Sequence, residues 1–213
     1  MSAASVWTAI VALSVCVALV GAGMRQGVLY ASGKTVASLG FVAMALAVGA
    51  ASSVWGSVAL AALAVAAVGD VVLAFPGTRA FLAGLAAFAV AHLLLTVAFT
   101  VRGIGTWQQV ALAGGIAALA VTVAALWLRP HVNREWRAAV ALYLSVIFLM
   151  TSSGIASSLH TASPLLAAGV ALVAGSDAAV ARHRFVKETF LNKLWGLPAY
   201  YLGMVLIALS LGA

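Results

Sequence analysis

The chain alternates between long apolar runs and short polar breaks. Eight runs are near 20 residues and carry almost no charge: 5–24, 34–50, 54–75, 79–101, 107–128, 137–159, 164–181 and 194–211. Runs of that length match α-helices crossing a bilayer, not the alternating ten-residue strands of a membrane barrel. The breaks carry turn chemistry. Pro76-Gly77-Thr78 stops the third run, two glycines mark 102–106, Ser52 and Ser53 join the second run to the third, and Pro164 suits a helical first turn. Residues 25–33 read as a turn with Lys34 opening the second helix, and 182–193 reads as a basic loop. No Lys or Arg precedes the first run, so it reads as a retained span and not a cleaved signal.

Composition agrees with this pattern. The chain is 65% hydrophobic and 7% charged, against about a quarter charged in soluble domains. A single all-α domain of eight transmembrane helices accounts for residues 1–213. The formal charge of +7 is scattered between spans, which argues for membrane orientation and against a nucleic-acid partner. With eight spans, one face holds Arg25, Arg79, Arg129, Arg134, Arg137, Arg182, Arg184, Lys187 and Lys193, with Lys34 just inside, and the other holds Arg102. The positive-inside rule then places the basic loops in the cytoplasm, both termini outside, and the protein as a multi-pass protein of the cytoplasmic (inner) membrane. All six tryptophans fall near predicted helix ends, as an interfacial belt requires. Cys16 lies in the first run and reads as a packing residue.

The candidate chemistry is what breaks the apolar runs. Two of four acidic residues, Asp70 and Asp177, sit inside spans, where ionisable groups are expensive and mark function by default. They are 107 residues apart, each in the third helix of a four-helix half, which suggests a 4+4 parallel repeat. Counting rise from the helix ends puts Lys34, Asp70, Tyr143, Asp177 and Tyr200 in one layer about 6–8 Å inside the basic boundary. His92 is expected deeper, near the middle of the fourth span. Plainer roles exist: Asp70 as an ion-pair partner of Lys34, Asp177 as partner of the basic run 182–187, Tyr143 and Tyr200 as belt aromatics, and His92 as a core residue. The coincidence of several polar groups at one depth favours a pocket.

At these residues the chain resembles the YhhN-like family of membrane lysoplasmalogenases. The matching pieces are Lys34; Gly69-Asp70-Val71-Val72-Leu73 before a Pro-Gly turn; Phe81-Leu82-Ala83-Gly84, Phe88 and Ala91-His92-Leu93; Tyr143 and Met150; Ser176-Asp177; Phe185; and Tyr200-Tyr201. Departures are Thr35 in place of a proline, Leu94 and Leu95 where a tyrosine commonly follows the histidine, and Gly203-Met204 after the tyrosine pair. The resemblance implies hydrolysis of the vinyl ether bond of a lysophospholipid, giving a fatty aldehyde and glycerophosphoethanolamine or glycerophosphocholine.

That chemistry suits the residues. Vinyl ether hydrolysis needs a neutral acid to protonate carbon and a carboxylate to steady the cation or activate water, a division of labour known from paired-carboxylate enzymes. Asp70 and Asp177 are the expected catalytic pair; Lys34, His92, Tyr143 and Tyr200 are the expected substrate-binding groups, and Lys34 or loop arginines would hold the phosphate. The expected partners are the lysophospholipid and the bilayer. Nothing points to a metal or organic cofactor, and nothing in the pattern specifies an oligomeric state. The rival reading is a proton-coupled transporter or lipid-moving protein using the same aspartates.

Overall fold

In a computed structural model, residues 3–212 are described and form eight long helices: α1 (Ala3–Gly23), α2 (Gly27–Ala47), α3 (Val54–Leu73), α4 (Thr78–Arg102), α5 (Trp107–Leu128), α6 (Arg137–Thr161), α7 (Pro164–Ala181) and α8 (Phe190–Ser210). All eight are long and apolar enough to cross a membrane. The side chains on the outer surface are those a lipid environment would solvate, such as Leu13, Leu119 and Leu142. The polar side chains Lys34, Ser38, Asp70 and His92 are each 4% exposed or less. This inside-out arrangement follows from hydrocarbon offering a polar group no partner.

Six helices close a ring. α2 packs on α3, α3 on α4, α4 on α6, α6 on α7, α7 on α8, and α8 back on α2. α1 lies outside the ring against α2 and α8, and α5 lies outside against α6. Burial follows this order: α8 buries 50% of its most apolar stretch, α5 only 11%. The contacts of the two halves correspond, since α1·α2, α2·α3 and α3·α4 match α5·α6, α6·α7 and α7·α8. One correspondence fails. α1 packs on α8, but α5 has no comparable packing on α4 and instead leans on the turn after α7.

Three boundaries differ from the sequence reading. α2 begins at Gly27, so Lys34 is two turns inside the helix, about 10 Å from its start. The stretch 25–33 is mostly helix because Gly33 and Gly21 are contact surfaces. A Cβ at Gly33 would stand 2.5 Å from the Ala18 nitrogen, and one at Gly21 would stand 2.5 Å from the Tyr30 nitrogen. The actual turn is held by Arg25 in the left-handed region at φ 57, with the Gln26 N–H donating to the Gly21 carbonyl at 2.8 Å, a helix stop usually made by glycine. The basic loop is also shorter than expected. α7 continues as a π-helical turn over Arg182–Val186, and α8 starts at Phe190. Asn192 ties this turn down: its side chain accepts from Arg182 and donates to the Lys187 carbonyl. Cys16 is exposed on the outer face of α1 and does not pack in the core.

The α1–α2 contact makes a direct test. Gly33→Val forces apart two backbones and should cost about 1–3 kcal/mol of stability. Gly27→Ala, where an added Cβ meets nothing within 4 Å, should stay within about 0.5 kcal/mol of the parent. Unfolding in detergent micelles measures both.

Candidate active site

The layer of polar groups assembles around a cavity of about 1050 Å³ at the basic end of the ring. Lys34, Asp70, Tyr143, Asp177 and Tyr200 all line it, each from a different helix. The first aspartate is held on every side. Lys34 Nζ stands 3.1 Å from Asp70 Oδ1, with both side chains 4% exposed or less. Ser38, one turn along α2 from Lys34, reaches Asp70 Oδ2 at 2.7 Å. Tyr201 O–H donates to the Lys34 carbonyl at 3.1 Å and touches the Ser38 hydroxyl at 3.2 Å. Ser38 Oγ lies within reach of two acceptors, the Lys34 carbonyl at 2.9 Å and Asp70 Oδ2 at 2.7 Å, and the carboxylate is the nearer. The result is a carboxylate facing a cation and a hydroxyl donor.

Among the described residues, no lysine or arginine pairs with the second aspartate. Tyr143 O–H donates to Asp177 Oδ1 at 3.2 Å. His92 Nε2 stands 4.0 Å from Oδ2, beyond hydrogen-bond length, and Oδ2 has no hydrogen-bond partner. Asp177 is also the more open of the two, its side chain 15% exposed. His92 is 2% exposed. It stands behind Asp177 against the rings of Phe88 and Tyr143, not on the cavity wall where a substrate-binding role would put it. The 4.0 Å approach brings His92 beside Asp177, although counted along α4 it lies deeper.

Tyr200 joins the two halves of the site. It is ten residues into α8, because α8 starts four residues earlier than the apolar pattern suggested. Its ring packs between Phe41, Phe88 and Tyr201. Its hydroxyl lies close to Asp70 and within electrostatic reach of Asp177, yet makes no well-formed hydrogen bond. Buried polar atoms are nearly always paired. Two buried oxygens beside the cavity, Tyr200 Oη and Asp177 Oδ2, have no hydrogen-bond partner among the described residues.

The arrangement repeats across the two halves. Each aspartate takes one neighbour from the preceding helix, Lys34 or Tyr143, and one from the last helix of the other half, Tyr200 or His92. The chain spacing between corresponding residues is the same to within two residues. The cavity mouth is basic, lined by Arg25, Arg184 and Lys193 together with His183 and Glu188. Arg184 is stacked against Phe81 and Trp136, and Lys193 sits 4.8 Å from the centre of the Tyr30 ring. Two contributors were not singled out by sequence reasoning, Ser38 and Asn192. Ser38 resembles any helical serine bonded to its own backbone, and only its spacing of four from Lys34 hinted at a shared face.

The sequence model of the YhhN family matches residues 29–211, which covers every residue of the site except Arg25. No curated protein and no solved structure matches the chain.

The ion pair makes a stability test. Lys34→Met leaves Asp70 charged and alone and should cost about 3–5 kcal/mol. Adding Asp70→Asn should recover a large part of that loss. A double-mutant cycle by equilibrium unfolding measures the coupling; simple additivity would mean that the pair is not an energetic unit.

Proposed function

The chain belongs to the YhhN family, and from that premise we propose that it is a membrane hydrolase cleaving the vinyl ether bond of lysoplasmalogens. The observation that carries the proposal is the unequal pair of aspartates on one cavity. Asp70, beside Lys34 and Ser38, suits a standing carboxylate. Asp177, among neutral donors with Oδ1 already accepting from Tyr143, suits a neutral acid bearing its proton on Oδ2.

The chemistry then runs in three steps. Asp177 transfers its proton to the vinyl carbon remote from oxygen, and the oxygen lone pair moves in to give an oxocarbenium ion. The Asp70 carboxylate steadies that cation, since charge–charge attraction is strong in a water-poor site. Water held at the Tyr200 hydroxyl adds to the carbon bonded to oxygen and gives up a proton to the Asp177 carboxylate, restoring the acid. The hemiacetal collapses as a proton passes from its hydroxyl to the ether oxygen, releasing a fatty aldehyde and the glycerophospho alcohol. In this scheme Lys34 is committed to Asp70, so the headgroup phosphate falls to Arg25 and Lys193 at the mouth. Arg25 holds a backbone conformation that glycine would adopt more easily; retained strain of this kind is characteristic of functional positions. The basic mouth, on the positive-inside rule, faces the cytoplasm.

Purified protein should release aldehyde from lysoplasmenylethanolamine and none from its saturated-ether analogue. Asp177→Asn should reduce the rate at least about a hundredfold, the range for loss of a positioned acid, with unchanged yield and melting temperature. Full activity in Asp177→Asn would sink the proposed pair. Lys193→Gln should raise KM by about tenfold, one charge-assisted contact, with kcat little changed.

A further inference from the structure

The cavity does not end at the aspartates. It continues along the side of the ring between α5, α6 and α7, where Ala120 and Ala124, Thr151 and Ile155, and Gly175 line it. From Tyr143 to Ile155 this wall runs three turns and more of α6, roughly 18 Å at 1.5 Å per residue. The first helices of the two halves pack differently on the ring. α1 closes on α8, whereas α5 swings off α4 and meets the ring at α6 and at the π-helical turn. Ala120 on α5 and Gly175 on α7 are both exposed, so the gap between these helices opens on the outer, hydrocarbon-facing surface of the bundle.

Two features of this wall bear on what fills it. Gly175 lies in mid-helix, yet an added Cβ there would meet no atom within 4 Å. No neighbouring protein group requires the glycine, and glycine in a helix interior is unfavourable in itself. Thr151 is 6% exposed and its hydroxyl has no partner. Most hydroxyls on α6, such as Ser145 and Ser152, bond back to their own helix.

We infer that the groove between α5 and α7 binds the hydrocarbon chain of a single-chain lipid, which slides in sideways from the bilayer while its polar end lies at Asp70 and Asp177. The inference rests on the hydrolase reading for the identity of the polar end. The chain site itself follows from the groove. Continuity decides the occupant: the groove shares one cavity with two charged side chains and a basic mouth, so its ligand has a polar anionic head and one apolar tail. A second helix or a second copy of the chain would fill the gap without reaching the aspartates.

The test narrows the groove in the full-length protein. Gly175→Phe should raise KM at least tenfold for a long-chain lysoplasmenyl substrate, the affinity that roughly two buried methylenes supply, and change it little for a short-chain one. If the Phe variant does not fold, Gly175→Cys in a Cys16→Ser background, alkylated after purification, supplies the same plug. Equal losses for short and long chains would overturn the inference. A second readout does not need turnover. A saturated-ether lysophospholipid with a photoreactive group at its chain end should cross-link to the groove faces of α5 and α7. Cross-links there without any aldehyde release from the vinyl ether substrate would leave the chain site standing and remove the hydrolase reading. Cross-links confined to the centre of the ring or to the basic mouth would overturn the chain site.

Discussion

The structure depends on a lysine and an aspartate buried together in a bundle otherwise built from alanine, valine and leucine. Each charge alone would be prohibitive in hydrocarbon. At 3.1 Å, with a serine hydroxyl on the second carboxylate oxygen, they form a unit that can be buried. That requirement places α2 and α3 inside the ring. It also draws in α8, because Tyr201 donates to the Lys34 carbonyl and touches the Ser38 hydroxyl beside Asp70. The ion pair and its hydroxyl partners thus tie together α2, α3 and α8, three of the six ring helices.

The second aspartate occupies the corresponding place in the other half, with the cation removed. Tyr143 stands where Lys34 would, and His92 where Tyr200 would. Two similar scaffolds thus present one carboxylate facing a charge and one facing neutral donors. Paired-carboxylate enzymes divide acid and base roles by giving the two acids different surroundings. The halves differ at their first helix: α1 packs on both α2 and α8, whereas α5 packs on α6 and has no comparable contact with α4.

Much of this was written in the sequence, because a membrane leaves few choices. The eight spans, and Asp70, Asp177, Tyr143 and Tyr200 as one cluster, follow from apolar run length and from depth counted along helices. What was illegible has physical causes. Lys34 looked like a helix start because Gly27, Ser32 and Gly33 resemble a turn, when Gly33 is instead the surface α1 rests on. Arg182, His183 and Arg184 read as loop, yet they continue α7 as a π-helical turn because Asn192 secures them from α8, a long-range contact without a local signal. Ser38 and His92 could not be placed by depth alone. Ser38 matters through its rotamer and His92 through reaching Asp177 from a different helix, and neither is a one-dimensional property. The splay of α5 was equally hidden, since its apolar pattern is that of any span.

The central claim is that a carboxylic acid on this cavity protonates carbon. Turnover of lysoplasmenylethanolamine in deuterium oxide, with the aldehyde reduced at once to its alcohol and read by mass spectrometry, tests it directly. One deuterium on the carbon next to the former carbonyl carbon is the result predicted. Aldehyde carrying no deuterium at that carbon would contradict it.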